Sequence, residues 1–444
     1  MPRPIGIDLF AGAGGLSLGF EQAGFDVVAA VEIDPIHCAI HKFNFPFCAV
    51  FPQSIAELTG AAIRARTGLG NRRVDVVFGG PPCQGFSMIG QRALDDPRNN
   101  LVREFVRIVA ELGPAYFVFE NVKGLTVGRH RLFLEELIDA FSAVGYHVRL
   151  PWKVFDVAEY GVPQHRERLI LIGAKRGQPL PDYPSPTSRP ADSQMISALP
   201  VGPTCRDALD DLPDAEQYRE LLQSDNVLVE NFDNPSAYAA ILRCLHNRSW
   251  HYGYRRRWDS GMLTSSLRTI HTEISQRRFT ETAPGQVEPI SRFYKLAPDG
   301  LSNTLRAGTD SARGAFTSPR PIHYQYPRCV TVREMARLHG FPDWFRFHGT
   351  KWHGARQIGN SVPPPFARAI AGEVIRALGV TPERSRTDVA LGDPALIWFD
   401  MSGASKHFGV PVPIRKRDRK SGARKRKQYE IEAESATTME LCLA

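Results

Sequence analysis

The chain has 444 residues, 43% of them hydrophobic and 23% charged, which is ordinary for a globular chain and enough for a sizeable core in two or three domains. No apolar run reaches 18 residues, which argues against a membrane-spanning helix, and Met1–Pro4 lead into a strand pattern rather than a secretory signal. The net charge is +8, yet residues 415–427 hold nine basic side chains and one acid, Asp418 (9 − 1 = 8), so the rest of the chain is neutral on balance.

Residues 1–175 alternate between strand and helix patterns. Apolar, β-branched runs fall at 5–10, 27–33, 74–78, 116–120 and 169–172, with helical periodicity at 16–23, 35–43, 101–112 and 131–144. Asp34-Pro35 is a helix start, with Asp as N-cap and Pro in the first helical position. This alternation predicts an α/β fold with a doubly wound, mostly parallel, Rossmann-like sheet.

The first strand runs into Phe10-Ala11-Gly12-Ala13-Gly14-Gly15. Glycines at a helix N-terminus let the backbone approach a nucleotide-like ligand. Glu32 ends the second strand, where an acid would meet ribose hydroxyls. Ser17 breaks the dinucleotide fingerprint Gly-x-Gly-x-x-Gly, which favours a nucleoside cofactor without a pyrophosphate over NAD. A purely structural turn is the competing explanation.

Gly79-Gly80-Pro81-Pro82-Cys83 follows the strand at 74–78 and holds a thiol on a stiff loop at the ligand edge of the sheet. A thiolate is a strong nucleophile near neutral pH, although a single cysteine is often only a small buried apolar group. Phe117-Val118-Phe119-Glu120 closes a strand with an acid suited to proton donation. Gln164, Arg166 and Arg168 alternate onto one face, and the two guanidiniums could orient that acid or grip a base or phosphate. The seven cysteines are scattered without a Cys-x-x-Cys, which predicts no disulfide framework, no metal site and a reducing, cytoplasmic setting.

From 176 to 325 Pro, Gly, Ser and Arg become frequent and no long periodic element stands out, which predicts a second, smaller, loop-rich domain. Helical signals resume at the capping box Thr331-x-x-Glu334, and another helix is expected at 365–378. Residues 381–444 are polar and then basic, with partial disorder expected.

In this order the segments resemble the cytosine-5 DNA methyltransferases. The match rests on the 10–15 turn, Pro81-Pro82-Cys83-Gln84, Glu120-Asn121-Val122, Gln164-x-Arg166-x-Arg168, Arg333-Glu334-x-Ala336-Arg337-Leu338, Gly359-Asn360-Ser361-Val362 and the Thr304-Leu305 pair. The resemblance implies that Cys83 attacks carbon 6 of a flipped cytosine, that Glu120 engages ring nitrogen 3, that Arg166 holds Glu120 and the base carbonyl, and that Arg168 supports the loop.

It also implies an S-adenosylmethionine pocket made by Phe10, Gly12, Gly14, Gly15, Glu32, Ile33, Pro81 and Asn360. Ser54 stands where the family usually offers an adenine-binding acid. Double-stranded DNA would meet Gln84, Ser87, Thr304 and the basic residues Arg255, Arg256, Arg257, Arg277 and Arg278, which are interleaved with aromatics.

The domains expected are a catalytic part at 1–175, target recognition at 176–325, a return segment at 326–380 and an extension from 381. The size and resemblance suggest a monomeric prokaryotic modification enzyme with a partner restriction endonuclease. An RNA-directed enzyme and an inactive DNA-binding homologue are the alternatives. Against the first, the Cys-Phe-Thr signature of the tRNA-acting relatives is missing; against the second, Cys83, Glu120, Arg166 and Arg168 are intact.

Overall fold

The computed structural model describes residues 3–82, 99–126, 130–194, 196–309 and 318–413. Its main sheet is built from β1 (Ile5–Leu9), β2 (Asp26–Val31), β3 (Ala49–Phe51), β4 (Val76–Gly79), β5 (Tyr116–Val122), β6 (Tyr146–Val148), β7 (Lys153–Asp156) and β8 (Glu167–Lys175). The order is β3-β2-β1-β4-β5-β8-β6, with β7 also on β8. The first five strands are parallel, and β8 is antiparallel to β5, β6 and β7.

Both faces are covered, as parallel sheets require, by α1 (Gly15–Ala23), α2 (Pro35–Asn44), α3 (Gly60–Thr67), α4 (Asn100–Leu112) and α5 (His130–Ala143). The period-two alternation sorts side chains between two apolar clusters. Val76, Phe78, Val118, Ile170 and Ile172 belong to one; Val77, Phe117, Phe119, Leu169 and Leu171 belong to the other. The expected start of α2 is present, with Asp34 accepting from Ile36 N and Pro35 following.

The middle of the chain contributes short pieces: α6 (Cys205–Leu209), α7 (Ala237–Leu242), α8 (Glu273–Glu281) and the small strands β9 (Val227–Leu228), β10 (Arg255–Arg257) and β11 (Met262–Leu263). They do not stand apart as the composition suggests. Cys205, Leu209, Leu221, Leu263 and Leu305 join the same cluster as α1 and as α9 (Val332–Leu338) and α11 (Pro364–Ala377). Phe279, Ile322 and Cys329 form a separate small core.

The capping box of α9 closes through Thr331 and Glu334. Between α9 and α11 lies α10 (Lys351–Asn360).

The polar extension from 381 is folded as far as the described residues reach. β12 (Asp388–Ala390) pairs with β10, Leu396 and Ile397 are buried in the large cluster, and α12 (Met401–Phe408) follows. A few apolar anchors in a polar stretch suffice for this. Among the described residues no helix is long and apolar enough to cross a membrane, and no cluster of potential metal ligands occurs.

Candidate active site

A cleft of about 810 Å³ opens at the C-terminal ends of β1, β2, β4 and β5 and is closed by the junction of α10 and α11. One half comes from the glycine turn. Phe10 and Gly12 take positive φ values of 63° and 54°, which reverses the chain just above β1. Phe10, Gly12 and Gly15 all line the cleft. Gly15 is required for close packing, since a Cβ there would lie 2.4 Å from the Val362 carbonyl.

Glu32 binds the turn from the end of β2, its carboxylate accepting from Gly12 N and Asp34 N at 2.9 Å each. Ile33 beside it lines the cleft, although it is 61% exposed. Ser54 also reaches the wall, and its Oγ accepts from Ala56 N. Beneath the turn burial pushes the Asp8 carboxyl up to about 8, and Ser17 Oγ donates to it at 2.6 Å. Gly14 is not part of the wall. It turns the chain at φ 104°, and a Cβ there would meet the Phe45 ring at 2.6 Å, so the position requires glycine for packing.

The other half is polar. Glu120 and Arg168 form an ion pair, Nε to Oε1 at 2.8 Å, with both side chains nearly buried. Gly80 lets the carboxylate in, because a Cβ on it would sit 2.4 Å from Glu120 Oε2. Asn121 Nδ2 donates to the Pro81 carbonyl at 2.9 Å and so pins the loop that leads to residue 83. Pro81 and Pro82 line the cleft; Cys83, Gln84 and Ser87 lie outside the described residues.

The expected division of labour between the arginines is reversed: Arg168, not Arg166, binds Glu120. Arg166 is 2% exposed and donates to the carbonyls of Leu305, Gly359 and Ser361 at 3.1, 2.8 and 2.9 Å. It thereby holds two distant segments against the cleft. Burial, and then the neighbouring Arg168, push its pKa well down.

Gln164, present in the motif but given no role from sequence, works beside it. Its Oε1 accepts from Leu305 N and its Nε2 donates to His339 Nδ1, which leaves His339 Nε2 to donate to the Ser361 carbonyl. Asn360 is exposed and lines the cleft. Arg356, Gln357 and Thr309 line it too; only the Gln-Ile-Gly-Asn run pointed toward them.

The basic residues proposed to meet DNA separate. Arg256 is a core residue, 4% exposed, with both guanidinium ends on Glu21 of α1 at 3.0 and 2.8 Å. Tyr254 donates to Asp26 at the start of β2, so β10, with Arg255 and Arg257, sits by the N-terminal ends of the strands, opposite the cleft at their C-terminal ends. Burial of a charge requires such a partner, and it removes Arg256 from any surface. Arg278 is held by Glu288 at 3.4 Å, whereas Arg277 is exposed. Thr304 Oγ1 donates to the His165 carbonyl at 2.7 Å.

This sheet order and this cleft define a class I methyltransferase. The family model for C-5 cytosine-specific DNA methylases matches residues 6–376, and the chain belongs to that family: it is a DNA (cytosine-5)-methyltransferase.

Among its relatives, the type II methyltransferase M.XorII of Xanthomonas oryzae is 58% identical over 93% of this chain and 94% of its own. M1.HphI of Haemophilus parahaemolyticus is 35% identical over 83% and 86%. A crystal structure of an E. coli prophage protein assigned as a DNA modification methyltransferase has a TM-score of 0.67 and 32% identity, covering 85% of this chain and all of that one. The Schizosaccharomyces pombe Dnmt2 structure, at 17% identity and TM-score 0.55, shares the fold.

Proposed function

We propose that this enzyme methylates carbon 5 of a cytosine within a specific double-stranded DNA sequence, drawing on S-adenosylmethionine, through a covalent adduct of Cys83 with a flipped base. One cleft walled both by the glycine turn with Glu32 and by the Glu120–Arg168 pair supports this most directly. The reading has it acting as a monomer. The type II names of the relatives support a role in protecting host DNA from a cognate restriction endonuclease.

The turn fits the cofactor. A Cβ on Gly12 would enter open space that the cleft otherwise leaves free. Ile33 offers an apolar face to a heterocycle, and Glu32 stands beside the same turn with a carboxylate suited to ribose hydroxyls. S-adenosylmethionine supplies a methyl group on a positively charged sulfur.

The protein's own residues do the rest. Cys83 adds as thiolate to carbon 6 while Glu120 gives a proton to nitrogen 3. Breaking the ring's conjugation makes carbon 5 nucleophilic. After carbon 5 gains the methyl group its proton passes to water, the thiolate leaves carbon 6, and nitrogen 3 returns its proton to Glu120. Both ring faces must be reached, so the base leaves the stack. Arg168 holds the Glu120 carboxyl in place throughout.

Incubation with cofactor and duplex DNA containing 5-fluorocytosine tests the reading. A covalent complex that Cys83→Ala abolishes is expected, and bisulfite sequencing of DNA from an expressing host should show one methylated sequence context. Trapping on RNA alone, or a Cys83→Ala protein that still traps DNA, overturns it.

A further inference from the structure

A second cavity, of about 420 Å³, lies between α1, the first turns of α11 and the loops before α6 and after α7. It shares no lining residue with the catalytic cleft. Arg368 lines it. Its NH1 donates to Gln22 Oε1 and to His251 Nε2, both neutral acceptors. Among the described residues it has no ion pair, and its Nε and other terminal nitrogen have no protein acceptor. Burial pushes its pKa down to about 10 with no carboxylate to offset the effect.

Ser249 lines the same cavity. It is 4% exposed, and its Oγ is buried without a hydrogen-bond partner. A buried hydroxyl left unmatched is costly and rare, and beside it on the same wall the half-buried Arg368 guanidinium has no carboxylate partner among the described residues. Burial also pushes His251 down to about 3, so it adds no second positive charge. Asp207, the one acid on the wall among the described residues, is occupied by Thr204, whose N and Oγ1 donate to it at 2.9 and 2.8 Å.

We propose that this cavity is an anion site, in which Arg368 and Ser249 together bind a phosphate group. A guanidinium offers phosphate two parallel donors, and the serine hydroxyl a third. The volume suits a mononucleotide-sized ligand, and the concave wall suits a small molecule better than a duplex backbone. A DNA phosphate shares the chemistry, however, and the experiment separates the two sources. Along α1, Gln22 beside Arg368 is seven residues from Gly15 in the cleft, roughly 10 Å of helix.

The whole chain would be titrated with adenosine monophosphate and with inorganic phosphate, followed by melting temperature and calorimetry. DNA affinity would be measured across a salt series. Saturable binding is expected that Arg368→Gln weakens at least about tenfold and Ser249→Val weakens as well, with methyl transfer retained in both. Should Arg368→Gln fold poorly, the Ser249→Val titration carries the decision.

If neither small anion binds but Arg368→Gln lowers DNA affinity and flattens its salt dependence by about one phosphate contact, the phosphate belongs to DNA. Wild-type protein that shows neither effect, or variants that bind as tightly as wild type, overturn the site.

Discussion

Arg168 and Arg256 were both read from sequence as basic residues near DNA or the reacting base, and their surroundings now give them opposite roles. Arg168 touches Glu120 at 2.8 Å within the cleft; Arg256 is sealed against Glu21 of α1, by the opposite ends of the strands. Arg168→Ala should therefore lower kcat by about 10²-fold, the scale of losing a positioned proton donor, with the melting temperature and the KM for cofactor little changed. A KM effect alone would remove Arg168 from the chemistry. Arg256→Ala should do the reverse. It leaves Glu21 buried and unpaired, a cost of about 3–5 kcal/mol, while DNA affinity per folded molecule stays as in the wild type. Denaturant titration beside a binding isotherm reads both at once, and weaker DNA binding without loss of stability would return Arg256 to the interface.

Among the elements, the segment between β7 and β8 shows how a surface staple fixes the register of buried groups. His165 bridges Asp156 at 2.6 Å and Asp192 at 2.9 Å, and its backbone N donates to the Ser302 carbonyl. The neighbouring Gln164 and Arg166 are thereby held at Leu305. The hydrogen bond to Asp156, aided by Asp192, raises the His165 pKa from 6.5 to about 9. A raised pKa means that the folded state favours the proton. The stabilisation is fully present below about pH 6.5 and fades as pH rises through about 9. His165→Gln should flatten the pH dependence of the denaturation midpoint across that window. An equally steep decline in the variant would assign the effect to other groups.

The strands and their helices were legible in the sequence because burial on both faces leaves near-continuous apolar runs and because Asp34-Pro35 and Thr331-x-x-Glu334 mark helix starts. The cleft's components were legible as short motifs, since glycine turns and strand-end acids are local features. The exchange of roles between Arg166 and Arg168 was not. Arg166 binds carbonyls at 305, 359 and 361, and no local pattern encodes a partner almost two hundred residues away.

For the whole molecule, the regions that look separate in composition share one core. Arg337 of α9 shows the means. Fully buried, it binds Asp343 in the return segment and Asp211 in the region expected to recognise the target, so the two segments are tied by charges that only fold together. The extension is tied in the same way. Gly349 N donates to the Ile397 carbonyl at 2.8 Å and Gly392 N to the Phe43 carbonyl. Gly349 also leaves room for the Trp398 ring, which would meet a Cβ there at 2.4 Å.

Composition pointed to a polar, partly disordered extension from 381, whereas residues 388–408 pack against the rest of the fold. Truncation after 413 removes the basic run at 415–427 and should leave the melting temperature unchanged while weakening DNA affinity at low salt, since phosphate contacts are salt-sensitive. Truncation after 380 also exposes the sites of Leu396 and Ile397, together worth about 3–6 kcal/mol of burial, and leaves β10 without its partner. It should lower the melting temperature by roughly 5–15 °C and reduce active protein accordingly. Equal melting temperatures for the two truncations would mean that the 388–408 segment contributes nothing to the core, whatever its contacts.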